Sequence, residues 1–247
     1  MRNKSVVLID FENLFYKRKL SVTLLVATFK DIINSVINMS NDVNSVDIRL
    51  YDGWRHEMQN TQKADQVLSL LYQIEGELFP SIIAGRRMAG SIELAFSQYG
   101  IDHEWENTMN LKKGVHRLTI DDSCRDSTHC NDASHCPIHM ISKASKGENV
   151  ICPIDGCGAV SFDRLVRNEQ KMVDTMMGCD MLEFILDDEY GIVAVMSDDI
   201  DMLPPLLLSA KHKSQDSILC YFTKNKRNKE RYDPLLSKYQ IITKLWQ

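Results

Sequence analysis

The stretch Ser5-Val6-Val7-Leu8-Ile9-Asp10 decides the fold. Its unbroken apolar run, with no alternation of polar residues, is the pattern of a strand buried on both faces, as in a parallel sheet. After it, Leu20 to Met39 carries Leu24, Leu25, Phe29, Ile32, Ile33 and Ile37 at roughly helical spacing, and Val46-Asp-Ile-Arg-Leu-Tyr51 gives a second strand. Strand, helix, strand implies a right-handed parallel crossover.

The alternation resumes further on. Lys63 to Glu75 has a helical pattern, Ser81 to Ala84 that of a short strand, and Gly114 to Ile120 that of a strand leading into a cysteine-rich stretch. Asn168 to Ile185 predicts an amphipathic helix with Val173, Met176, Met177, Met181, Leu182 and Ile185 on its core side. Strand Gly191 to Met196, a helix over Leu203 to Ala210, strand Ser217 to Phe222 and a final segment Pro234 to Leu245 follow. The expected fold is α/β, a doubly wound and mainly parallel sheet, with one domain over 1–247 and an inserted subdomain over 121–160.

With 247 residues, 44% of them hydrophobic and 26% charged, the chain can bury a full core. Its apolar runs are too short to span a membrane, and Met1-Arg-Asn-Lys leads into a strand rather than a signal peptide; a cytoplasmic location is the expectation. A net charge of -5 argues against bulk electrostatic coating of nucleic acid, but the charges are unevenly spread. Acidic residues crowd between Asp174 and Asp201. Lys224, Lys226, Arg227, Lys229 and Arg231 form a basic run suited to phosphates, or else a solvated loop.

Asp10, Asp199 and Asp201 follow apolar strands, and Asp174 lies in the stretch Lys171-Met-Val-Asp174. In open parallel sheets ligands bind at the carboxyl ends of strands, so these carboxylates are expected to share a site. Clustered carboxylates need a cation, and one or two Mg²⁺ or Mn²⁺ ions would activate water and neutralise charge on a scissile phosphate. Taken singly, such an Asp is as readily a helix cap, and Ser197 and Asp201 could each cap the helix after them. No P-loop or Gly-x-Gly-x-x-Gly is present.

Three blocks together resemble the NYN-domain family of the PIN-like nuclease superfamily. Val6-Val-Leu-Ile-Asp10-Phe-Glu-Asn13-Leu is similar to its opening strand and Asp-x-x-Asn. Arg167-Asn-Glu169-Gln-Lys171-Met-Val173-Asp174, followed by Asp180, resembles its Glu-Lys-Gly-Val-Asp helix start. Ser197-Asp-Asp199-Ile-Asp201-Met-Leu-Pro204 resembles its Ser-Gly-Asp-x-Asp-Phe-x-Pro signature.

The resemblance implies a PIN-like fold and a metal-dependent endoribonuclease. Asp10, Asp174 and Asp199 would hold the principal ion with help from Asp201, Asn13 would orient Asp10 or a water at the metal, and Ser197 would shape the turn. Asp180, turned roughly 240° from Asp174 along a helix, is expected behind the ligands or in an ion pair. Dimers or larger assemblies are common by the same resemblance. The chain departs from the family at Asp198 and Met172, where it has Gly, and at Met202, where it has Phe. Asp198 could be a further ligand or could alter the turn. Two other classes stand beside the nuclease: an inactive PIN-like RNA-binding or regulatory protein, and another metal-dependent phosphohydrolase.

Five of the seven cysteines lie between Cys124 and Cys157, interleaved with His129, His135 and His139. In a cytoplasmic chain this favours Zn²⁺ over disulfides. Cys136-Pro-Ile-His139 and Cys152-Pro-Ile-Asp-Gly-Cys157 give a tetrad of Cys136, His139, Cys152 and Cys157 around a structural Zn²⁺, with Cys130 and Cys124 as alternates. The insertion precedes Asp174 in the chain and could hold an RNA strand beside the acidic site. Cys179 and Cys220 are expected to be packing residues.

Overall fold

A computed structural model of the chain describes residues 3–83, 85–113, 119–120, 151–152, 165–170 and 172–246. Two compact units divide it, one made of residues 1–108 and 172–247 and the other of residues 109–171.

The first unit is α/β. Its strands are β1 (Lys4–Asp10), β2 (Ser45–Tyr51), β5 (Ser81–Ile83), β6 (Arg86–Leu94), β10 (Tyr190–Met196), β11 (Ile218–Thr223) and β12 (Ile241–Leu245), with the two-residue pair β3 (Arg55–His56) and β4 (Gln59–Asn60) apart. The seven form one sheet in the order β12-β11-β10-β1-β2-β6-β5, parallel throughout except for β5 against β6. From β1 the chain steps outward through β2 to β6; from β10 it steps the other way through β11 to β12. The strand order therefore reverses between β1 and β10. Right-handed crossovers running in opposite directions place their helices on opposite faces.

Helices α2 (Val22–Ile37) and α3 (Gln62–Leu78) pack on the face bearing Val7 and Ile9 of β1, with Phe29, Ile32, Ile33, Val67 and Ile74 buried there. Helices α4 (Val173–Leu186), α5 (Leu203–His212) and α6 (Lys226–Lys238) pack on the other face with Val6 and Leu8, through Met176, Met177, Met181, Leu206 and Leu236. A short helix, α1 (Phe11–Phe15), follows β1 directly. Every residue of β10 is buried, which explains why the two central strands read as continuous apolar runs.

In the second unit, β7 (Met109–Lys113) and β8 (Thr119–Ile120) both pair antiparallel with β9 (Leu165–Gln170), in the order β7-β9-β8. The helix expected from Asn168 therefore starts later, at Val173, because Leu165–Gln170 is committed to strand pairing. The final segment expected over Pro234 to Leu245 divides into the end of α6 and the edge strand β12. Cys124, Cys130, Cys136, His139 and Cys157 lie outside the described residues, as does most of the 121–160 insertion; Cys152 is buried.

Candidate active site

Strands β1 and β10 are paired up to Ile9 and Met196, so Asp10 and Ser197 emerge side by side at the point where the strand order reverses. Such a switch point is where an open parallel sheet leaves a crevice at its carboxyl edge. Asp10 is 7% exposed and doubles as the N-cap of α1. Its Oδ1 accepts from the Asn13 backbone N–H at 3.0 Å, and its Oδ2 accepts from the Asn13 side-chain amide and from Ser197 Oγ at 3.3 Å. The Asp-x-x-Asn spacing produces this directly, since Asn13 sits at the third helical position, where a cap's acceptor is answered.

Ser197 links the two halves of the crevice. Its Oγ also accepts from Asn13 Nδ2 at 3.3 Å and from the Asp199 N–H at 3.0 Å, while its own N–H donates to Phe222 at the end of β11. Asp199 caps the 3-10 turn Ile200–Met202, its Oδ1 accepting from the Asp201 N–H at 2.9 Å. The cap is thus Asp199; Asp201 lies within the turn, exposed. Asp174 occupies the first turn of α4, where the helix dipole favours a negative group.

The electrostatics join these residues into one site. Burial pushes the Asp10 carboxyl up to about 6, and the charge of Asp174 adds to that against the hydrogen bonds from Asn13 and Ser197. The Asp174 carboxyl is also raised, first by burial and then by Asp199 and Asp201. Among the described residues, no Lys, Arg or His forms an ion pair with any of the four. All-oxygen carboxylate donors without a neutralising partner suit a hard divalent cation. Among the described residues no three Asp, Glu, His or Cys side chains are arranged around one point as they stand. Mg²⁺ is compatible with that, because it keeps several waters and commonly takes only one or two protein carboxylates.

Two acidic neighbours have structural work. Asp198 Oδ1 accepts from Thr223 Oγ1 at 2.7 Å, the Lys224 N–H at 2.6 Å and the Asn225 N–H at 3.1 Å, tying the end of β10 to the turn entering α6. Asp180 is fully buried, accepting from Tyr51 Oη at 2.6 Å and the Tyr99 N–H at 2.8 Å and standing 3.3 Å from an Arg49 nitrogen. It is an ion-pair partner within the core. Met172, where the resembled family has Gly, holds a left-handed φ of 61°.

Of the basic run, only Lys224 reaches toward the crevice: its Nζ donates to the carbonyls of Asn13, at 3.1 Å, and Leu14. Burial and then Arg18 push its pKa down, against Asp198. Lys226, Arg227, Lys229 and Arg231 lie on α6 rather than in a loop, with Lys226 3.6 Å from Glu230, Lys229 3.5 Å from Asp233 and the Arg231 guanidinium over the Tyr232 ring. Cys220 is buried, its thiol pushed up to about 12 by desolvation; Cys179, expected in the core, is exposed.

One residue beside the crevice was missed. Asp52 directly follows β2, next to the Asp10–Tyr51 register pair, is fully buried, and pairs with Lys63. The signal was available, since it too is an Asp after an apolar strand. Comparison of the chain with family models, curated proteins and solved structures returns no significant match.

Proposed function

We propose that the chain is a divalent-metal-dependent endoribonuclease of the PIN-like NYN type, acting in the cytoplasm. The observation that carries this reading is the Asp10 carboxylate: buried, fixed by three donors, without a cationic partner among the described residues, and within electrostatic reach of Asp174 at the switch point of a parallel sheet. Those donors occupy three of the roughly four lone-pair positions of the carboxylate, leaving acceptor capacity for a further partner. Asp10, Asp174 and Asp199 would hold Mg²⁺ or Mn²⁺, with Asp201 assisting. A cation bound there would supply a more acidic water and offset charge on the phosphate.

The protein groups orient and position. Asn13 and Ser197 fix the Asp10 oxygens, and the hydrogen bond from the Asp199 N–H to Ser197 sets the turn that carries Asp199. Hydrolysis would join a water oxygen to phosphorus and break one P–O bond of the RNA backbone, with the leaving oxygen taking up a proton. Asp198 is the residue that would argue for an inactive binding protein; its hydrogen bonds to the α6 turn give it another purpose and favour the enzyme. No helix among the described residues is long and apolar enough to cross a membrane.

We further propose that Cys136, His139, Cys152 and Cys157 hold a structural Zn²⁺. The burial of Cys152 supports this. Purified protein incubated with labelled RNA, single-stranded DNA and free nucleotides, in Mn²⁺ or in EDTA, tests the activity: cleavage of RNA alone in Mn²⁺ is expected, and cleavage that persists in EDTA refutes the metal dependence. Metal analysis of the same sample is expected to give one zinc per chain.

A further inference from the structure

The loop after α1 carries Tyr16-Lys17-Arg18-Lys19, and together with Lys63 and Gln66 of α3 it lines an open cleft of about 400 Å³. Four cations and one carboxylate, Glu12, face this cleft. Lys63 is engaged by the buried Asp52 and lies 3.9 Å from Glu12, whereas Lys17, Arg18 and Lys19 are exposed and have no acidic partner among the described residues. In a chain of net charge -5, three adjacent unpaired cations are a local excess rather than a reflection of composition.

The backbone and the aromatic residue point the same way. Lys17 holds a left-handed φ of 56°, a conformation that costs a non-glycine residue free energy and turns the loop sharply. Tyr16 is 61% exposed, with the Lys17 ammonium 5.0 Å from its ring centre. An exposed ring among unpaired cations is the combination that holds single strands, with a base on the ring and phosphates on the charges.

The cleft also adjoins the acidic crevice. Asp10 caps one end of α1 and Tyr16 closes the other, a separation along the helix of roughly 8 Å. Lys224, whose ammonium caps the Asn13 and Leu14 carbonyls, lies near enough to Arg18 to feel its charge. Arg18, which shares the cleft with Lys17 and Lys19, thus links their charge to that of Lys224.

We infer that this cleft is the track for single-stranded RNA entering the site, with Lys17, Arg18 and Lys19 on the phosphates and Tyr16 stacked on a base. The inference rests on the ribonuclease reading for the identity of the strand, and it replaces most of α6 as the main phosphate-contacting surface.

Fluorescence anisotropy with a labelled single-stranded RNA of about a dozen nucleotides, in EDTA so that nothing is cut, tests it on the full chain. The triple variant K17E/R18E/K19E is expected to bind at least tenfold more weakly, with the slope of log affinity against log salt reduced by about 2. Tyr16→Ala is expected to weaken binding about tenfold. Lys211→Glu, in the exposed last turn of α5 at the far end of the sheet, is expected to bind as wild type does. If the triple variant fails to fold, Lys17→Gln and Lys19→Gln singly should each lower the salt slope by about 0.7. Wild-type affinity in the cleft variants, or an equal loss in Lys211→Glu, overturns the inference. RNA cleavage in Mn²⁺ by wild type, with unaltered binding by the triple variant, would reject the cleft and keep the nuclease; no cleavage by wild type, with binding lost in the triple variant, would do the reverse.

Discussion

Ser197 Oγ donates to Asp10 Oδ2 at 3.3 Å across the ends of β1 and β10, joining the two halves of the sheet where their strand order reverses. This contact couples the first and last parts of the chain, 187 residues apart in sequence. Together with Asn13 it sets which way the Asp10 carboxylate faces.

Asp10 should make the metal-free protein less stable as pH rises. Its folded-state pKa is pushed from 3.8 up to about 6, so the charged form is the one the fold disfavours. The contribution is neutral where Asp10 is protonated in both states, and stability is lost as pH climbs from about 4 through about 6, by roughly 3 kcal/mol. Asp10→Asn keeps a competent N-cap without the charge. In EDTA at pH 8 this variant should melt several degrees above wild type, and at pH 4 the difference should shrink to nearly nothing. Equal melting temperatures at pH 8 would show that the site stores no such repulsion.

Ser197→Ala removes one donor to Asp10 and one acceptor for the Asp199 N–H. A loss of about 1–2 kcal/mol by urea unfolding is expected, together with roughly tenfold slower cleavage, since Asp10 and Asp199 are both less well held. Ser197→Thr, which retains the hydroxyl, should recover part of the rate. Unchanged cleavage by Ser197→Ala would mean that the contact does not orient the site.

Asp198 and Met172 make opposite predictions about the two positions where the resembled family has Gly. Asp198→Gly leaves the Lys224 N–H and the Thr223 hydroxyl without their Asp198 acceptor and should cost about 2 kcal/mol. Met172→Gly relieves a left-handed backbone at an exposed side chain and should stabilise by about 1 kcal/mol. Chemical denaturation of both variants checks the pair, and a stabilising Asp198→Gly would contradict the structural role assigned to that carboxylate.

Asp180→Ala should be among the most damaging substitutions outside the crevice. It leaves the Tyr51 hydroxyl and the Tyr99 N–H without their acceptor in the core and Arg49 with Glu93 as its remaining ion-pair partner, at a cost of about 3 kcal/mol. Whatever fraction stays folded should bind Mn²⁺ as wild type does, as calorimetric titration would show; a selective loss of metal affinity would place Asp180 at the metal instead.

Much of the central architecture is written in period and composition. The apolar runs Val6–Ile9 and Ile192–Met196 exclude polar faces, so a place for each in the interior of a parallel sheet follows from burial; that they are neighbours there does not. The Asp-x-x-Asn spacing carries the Asp10–Asn13 contact for the same local reason. Other parts depend on partners that the sequence does not display. Strand β6 alternates exposed residues with buried or half-buried ones but carries Arg86, Arg87 and Glu93, and it is held as a strand by pairing with β2. There Gly90 approaches so closely that an added Cβ would stand 2.0 Å from the Val46 carbonyl oxygen. Asn168 to Gln170 reads as the start of the helix but is held in a strand by pairing with β7. Asp198 and Asp199 are adjacent in sequence, and only the hydrogen bonds from Thr223, Lys224 and Asn225 separate the structural carboxylate from the one on the crevice side.

The central claim is that Asp10 and Asp199 act together through a divalent cation on RNA. Single-turnover cleavage of end-labelled RNA in Mn²⁺ by wild type, Asp10→Asn and Asp199→Asn, each confirmed folded by circular dichroism, measures it most directly. The account predicts at least a thousandfold loss in both variants, with no activity in any of the three in EDTA. Full cleavage by either folded variant would contradict it.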